Sequence, residues 1–178
     1  MMKEIEEQPK AIRDTVSPRI KDGKIVLDDL NISEEYIKGI KRIYIIACGS
    51  AYHVGMVGKY VIEKMSRIPV ETILASEFRY SNPIIGPDDL AIIISQSGET
   101  ADTLAALKEA KEKGAKTLGI VNVVGSSIAN ASDYVMYTWA GPEIAVATTK
   151  AYSTQLCVIY LIAAYLADVR GTISKEEY

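Results

Sequence analysis

Leu90-Ala91-Ile92-Ile93-Ile94-Ser95-Gln96-Ser97-Gly98-Glu99-Thr100 decides how this chain is read. Its first five residues are apolar without polar alternation, the pattern of a short strand buried on both faces. Hydroxyl side chains and a glycine follow. Thr100 to Lys113 then places Leu104 and Leu107 on one helical face, and Gly114 ends the run. A buried strand that passes through a polar turn into a helix is half of a βαβ unit.

The same order recurs on both sides. Arg42 to Cys48 is an apolar, β-branched run, and Gly49 leads into a helix reaching about Ser66. Val70 to Leu74, Lys116 to Val121 and Tyr134 to Trp139 read as further strands, with a short helix at Ser126 to Ala131 and a long one from Thr149 to Val169. This alternation predicts an α/β domain over residues 41–170: three αβα layers around a five-stranded parallel sheet of flavodoxin- or Rossmann-like type. Residues 1–40 differ and read as an N-terminal arm. Ile5, Ile12 and Val16 have loose helical spacing broken or kinked by Pro9, Asp22-Gly23 predicts a tight turn or small hairpin, and Ser33 caps a helix from Glu34 to Gly39. Residues 171–178 read as a tail.

Composition narrows the function. The chain has 178 residues, 48% apolar and 24% charged, enough for one domain with its own core. Twenty basic and 23 acidic side chains leave a net charge of −3, which argues against nucleic acid or an anionic membrane as partner. The apolar run Leu156 to Ala167 is about half what a bilayer requires, so no transmembrane helix is expected. The start, MMKEIEEQPK, has no apolar core of a signal peptide. Cys48, Cys157 and His53 support neither a disulfide framework nor a zinc site, and no metal or cofactor is expected. A cytoplasmic domain is the expectation.

In an open parallel sheet, ligands sit at the carboxyl ends of strands. That rule selects Cys48 to Tyr52, Ser95 to Thr100 and Gly141 to Lys150. Ser95, Ser97 and Thr100 set three hydroxyls around Gly98 directly before a helix, whose first N–H groups are free and partly positive. A single hydroxyl would be an ordinary cap. Three with a glycine suit a phosphate monoester. No Gly-Lys-Ser/Thr follows, and Gly49, Gly55 and Gly58 do not fit a dinucleotide fingerprint.

Four segments carry a resemblance. Cys48-Gly49-Ser50-Ala51-Tyr52, Ala75-Ser76-Glu77-Phe78-Arg79-Tyr80, Ser95 to Thr103 and Glu143-Ile144-Ala145-Val146-Ala147-Thr148-Thr149-Lys150-Ala151 resemble the SIS (sugar isomerase) family. Within it they are similar to the first of two SIS domains in the isomerising glutamine–fructose-6-phosphate aminotransferases. Lys3-Glu4-Ile5-Glu6-Glu7-Gln8-Pro9 resembles the segment that joins the glutaminase and isomerase parts of those enzymes. The resemblance implies the SIS fold, a cofactor-free site for a hexose 6-phosphate, a homodimer, and a glutaminase domain and second SIS domain as partners in the parent chain. It implies phosphate contacts from Ser50, Ser95, Gln96, Ser97 and Thr100, and sugar contacts from the Val146 backbone and the Thr148 hydroxyl. Ser50 stands where many members have threonine, and Thr148 where relatives often have serine. The family's glutaminase cysteine lies outside the resembling segments, as do its Schiff-base lysine, its C1–C2 proton-transfer glutamate and its ring-opening histidine. The expectation for these residues alone is therefore binding without amination.

Other residues admit two readings. Glu143 is a catalytic candidate if it moves a proton between sugar carbons, and otherwise a capping carboxylate. Lys150 is either a phosphate contact or a solvated helix-start lysine. Cys48 lacks a base and reads as structural, and His53 reads as a surface or rim residue. The last helix is apolar nearly all round, so a second buried surface is expected against it, with Ile159 as an exposed position in a homodimer interface. Alternatives to a binding domain are a free-standing phosphosugar isomerase using Glu143, or a non-enzymatic sugar-phosphate sensor.

Overall fold

The computed structural model describes residues 1–27 and 30–174. Asp28, Asp29 and the last four positions of the expected tail, 175–178, lie outside the described residues. The arm comprises α1 (Met2–Glu6), α2 (Gln8–Val16), the hairpin strands β1 (Ile20–Lys21) and β2 (Lys24–Ile25), and α3 (Glu34–Gly39). Asp22 and Gly23 both have positive φ, which suits the two central residues of a hairpin turn. Pro9 breaks no helix internally. The break comes at Glu7, and Pro9 sits in the first turn of α2, where its missing N–H has no helical partner to lose. The Ser33 hydroxyl accepts from the Tyr36 N–H at 3.2 Å and caps α3.

The remainder alternates β3 (Arg42–Ala47), α4 (Gly49–Ser66), β4 (Val70–Leu74), α5 (Ala75–Phe78), β5 (Asp89–Ser95), α6 (Ala101–Glu112), β6 (Lys116–Val121), α7 (Ser127–Ala131), β7 (Tyr134–Tyr137) and α8 (Lys150–Arg170). All five strands are parallel, in the order β4-β3-β5-β6-β7. Counted from β3, this is the 2-1-3-4-5 order of flavodoxin-like sheets.

Strand side chains alternate between two cores. Ile43, Ile45, Ile92, Ile94, Leu118 and Ile120 face α3, α4 and α8, whereas Tyr44, Ile46, Ala91, Ile93 and Val121 face α5, α6 and α7. Gly58 lets α4 approach closely. A Cβ there would stand 3.0 Å from Ile45 Cδ1 and 3.1 Å from Ile159 Cγ2.

Two expectations are corrected. The last strand ends at Tyr137 rather than Trp139. Asn122 draws the chain away, its side-chain oxygen accepting from the Thr138 hydroxyl (3.0 Å) and the Ala140 N–H (2.8 Å), and Trp139 adopts positive φ. Ile159 is fully buried rather than exposed. The surplus apolar surface of α8 turns inward, against α4 and the sheet on one side and α2 and α3 on the other. The expected second surface is thus the chain's own arm, and the homodimer loses the argument that rested on Ile159. At 21 residues α8 is also longer than its apolar run and long and apolar enough to cross a membrane, but most of its apolar window is buried in this protein.

Ile159→Glu should consequently abolish folding rather than dissociate a dimer. A carboxylate between Ile45 and Gly58 has no partner, a loss on the order of 4 kcal/mol. Tyr160→Glu, on the exposed side of the same turn, should leave the circular dichroism melt unchanged. Equal melting midpoints for the two variants would contradict this packing.

Candidate functional site

The carboxyl ends of β3 and β5 lie side by side, with Ala47 opposite Ile94. Above them a cavity of about 290 Å³ is lined by Cys48 to Ala51, Ile94 to Ser97 and Thr100, by Glu143, Ala145, Val146 and Thr148, and by Gln155. Ser50, Ser95, Gln96, Ser97, Thr100, Val146 and Thr148, brought together from three separate segments, all border it.

The serine loop is shaped by its own hydroxyls. Ser95 Oγ accepts from the Gly98 N–H at 3.0 Å and lies 3.0 Å from Thr100 Oγ1, while Ser97 Oγ accepts from the Glu99 N–H at 3.2 Å. Ser95 is buried and half of a hydroxyl pair, whereas the Ser97 hydroxyl proton is not spent within the loop. Gly98 has φ +69°, and a Cβ there would stand 2.1 Å from Ser126 Oγ, so only glycine fits. The loop also grips its neighbour. Gly98 O accepts from the Ile128 N–H, and Glu99 accepts from the Ser127 N–H at 2.8 Å, capping α7. The Ser127 hydroxyl and N–H together hold the Glu99 carboxyl below the usual range.

Glu143 is a cap. Its carboxylate accepts from the Thr148 hydroxyl (2.8 Å), the Thr149 N–H (2.8 Å) and hydroxyl (3.2 Å), and the Ala151 N–H (3.3 Å), satisfying the start of α8. The Thr148 hydroxyl thereby donates to Glu143, and the Val146 side chain stands fully in solvent. Lys150 is neither a phosphate contact nor a solvated lysine. It is 3% exposed and paired with Glu7 of the arm at 2.6 Å. Glu4 of α1 likewise accepts from the Ile144 (2.7 Å) and Ala145 (3.2 Å) N–H groups, and Ser153 donates to the Gln8 side chain at 2.5 Å.

The arm therefore holds the outer side of the loop that walls the cavity, a role the reading of residues 1–40 did not contain. Its signal lay in the three-and-four spacing of Glu4, Glu7 and Gln8, which the junction of α1 and α2 keeps directed at α8 and the loop before it. Cys48 borders the cavity, His53 is exposed against the Tyr52 ring, and burial pushes the Cys157 thiol up. Among the described residues no three His, Cys, Asp or Glu side chains come together to hold a metal. Cys48 and Glu143 are, among the described residues, the ionisable side chains on the cavity wall.

The family's SIS domain profile matches residues 36–165. The chain belongs to the SIS domain family. It is 63% identical over 178 residues to the isomerising glutamine–fructose-6-phosphate aminotransferase of Clostridium tetani, with 99% of this chain and 29% of that protein covered. The corresponding protein of Caldanaerobacter subterraneus is 62% identical at the same coverage. The solved C-terminal domain of glucosamine-fructose-6-phosphate aminotransferase from Francisella tularensis superposes with a TM-score of 0.92 at 39% identity, over 99% of this chain and 49% of that one. This SIS chain spans somewhat under a third of the length of the curated relatives it matches.

The Glu7–Lys150 pair carries a pH signature. The Lys150 ammonium, first as hydrogen-bond donor and then as nearby charge, holds the Glu7 carboxyl below its ordinary value. A lowered folded pKa contributes stability that is complete above the unfolded value, about 4.3, and fades as pH falls through the folded one. Glu7→Gln should lower the melting temperature at pH 7, with the gap to the wild type closing below about pH 4. A gap independent of pH would exclude the ion pair as its source.

Proposed function

We propose that this chain is the hexose-6-phosphate-binding SIS domain of an isomerising glutamine–fructose-6-phosphate aminotransferase, the activity that converts fructose 6-phosphate and glutamine to glucosamine 6-phosphate and glutamate. The observation that carries the reading is one cavity bordered by Ser50 and Ser97, by the first turn of α4 and by Thr100, the N-cap of α6. Helix-start N–H groups and small hydroxyls suit a phosphate dianion, and among the described residues the lining holds no lysine or arginine that would replace them. Ser95 and Thr100 would shape the loop while Ser50, Gln96 and Ser97 meet the phosphate. Val146 and Thr148 would border the sugar.

Isomerisation by Glu143 alone is disfavoured, because a base needs a free carboxylate and this one is occupied by the start of α8. A Schiff base needs a lysine of depressed pKa in the cavity, and Lys150 is ion-paired behind the wall. Amination would therefore draw on a glutaminase domain and a second SIS domain of the parent chain. A phosphorylated, membrane-impermeant substrate makes the domain cytoplasmic. A homodimer remains part of the reading, by analogy with the family, and Met56 and Tyr60 on α4 are exposed side chains available to such a contact.

Calorimetry tests the binding. Fructose 6-phosphate should bind, fructose should not, and Ser97→Ala should weaken the phosphate ester by about 1–3 kcal/mol through loss of a charge-assisted hydrogen bond. Equal affinity for fructose and fructose 6-phosphate would refute the phosphate site. The purified 178-residue chain should form no glucosamine 6-phosphate from fructose 6-phosphate and glutamine. Product that survives repurification would overturn the division of labour.

A further inference from the structure

Gln155 breaks the pattern of its helix. Ala151, Val158, Ile159 and Ile162 form the inward stripe of α8, all nearly or wholly buried, and Gln155 occupies the stripe's remaining position at 3% exposure. Residues four apart on a helix share a face, so this position calls for an apolar side chain. Among the described residues nothing hydrogen-bonds its amide, although neighbouring Thr154 is satisfied by Lys150 O and Ala151 O at 3.0 Å each. The amide atoms are not sealed in the core either: the side chain borders the same cavity as the serine loop and Thr148. An amide at an apolar stripe position gains nothing from the packing around it, so the fold retains a polar group here that its own packing does not use.

We infer that Gln155 is a specificity-determining residue that hydrogen-bonds a hydroxyl of the bound sugar. This deepens the hexose-phosphate reading and rests on it. The serine loop and helix starts supply donors for an anion, and a dianion would be poorly matched to the Gln155 amide oxygen. A sugar hydroxyl both donates and accepts, as the amide does. A sugar hydroxyl seated in the cavity could pair with this amide, which no protein group among the described residues engages, and a sugar lacking the matching hydroxyl could not.

The test compares Gln155→Leu with the wild type in three measurements: affinity for fructose 6-phosphate, affinity for inorganic phosphate, and melting temperature. Leucine continues the apolar stripe at similar volume. The expected result is a loss of about fivefold or more in fructose 6-phosphate affinity, typical of one net hydrogen bond, with phosphate affinity unchanged and a melting temperature equal to or above that of the wild type. An equal loss for inorganic phosphate would assign the amide to the anion and overturn the inference. A melting temperature several degrees lower would make the amide structural, also overturning it. Unchanged fructose 6-phosphate affinity in the variant, with a wild type that prefers fructose 6-phosphate to fructose, defeats this inference alone. A wild type without that preference defeats the underlying reading.

Discussion

Strands β3 and β5 are neighbours in the sheet, yet the helices that follow them leave toward opposite faces, α4 into one core and α6 into the other. No crossover can then cover the gap between their carboxyl ends, so a crevice opens at that point. The rest of the site depends on this divergence. It brings two helix starts, with free N–H groups and partial positive charge, to the rim of one cavity, and it sets the serine loop directly over the central strand. The close approach of α4 to the sheet and to α8 depends in turn on Gly58, since a side chain there would collide with Ile45 and Ile159.

Carboxylates complete the arrangement without entering it as free charges. Glu99 turns to cap α7, Glu143 turns to cap α8, and Glu4 holds two N–H groups of the loop between Glu143 and Thr148 from the outside. Each consumes its charge on backbone donors or hydroxyls, so the loops are fixed while the cavity keeps the electrostatic character of helix starts and hydroxyls. Lys150 follows the same rule with the sign reversed, its charge being matched by Glu7 rather than offered to a ligand. Gln155 differs from these: it is a buried polar group in the wall that no protein partner among the described residues uses.

Periodicity made most of the fold legible. The buried runs at Arg42 to Ala47 and Asp89 to Ser95 carry no alternation because both faces are covered, and the observed bounds of β4, α3 and β6 agree with those read from the chain. The failures share a cause. Trp139 looked like strand, but Asn122, sixteen or more positions earlier than the groups it binds, turns the chain at that point. Ile159 looked exposed because α8 has more apolar surface than one sheet face needs, and no local pattern shows that the arm returns to cover the surplus.

At the site, the division falls in the same place. Sequence alone determined the residue types that would suit an anion: hydroxyls and a glycine between a buried strand and a helix, local features contained within six residues. It also determined strand, helix and parallel-sheet class, because side-chain periodicity is local. Only the tertiary structure decided which polar side chains remain free for a ligand. Glu143 and Thr148 are committed to each other and to the start of α8, Lys150 to the arm, and among the described residues Gln155 is left without a partner. A hydrogen bond or ion pair across more than a hundred residues, such as Lys150 with Glu7 or Ile144 with Glu4, is set by how whole elements pack. Nothing in the spacing of either segment specifies the other.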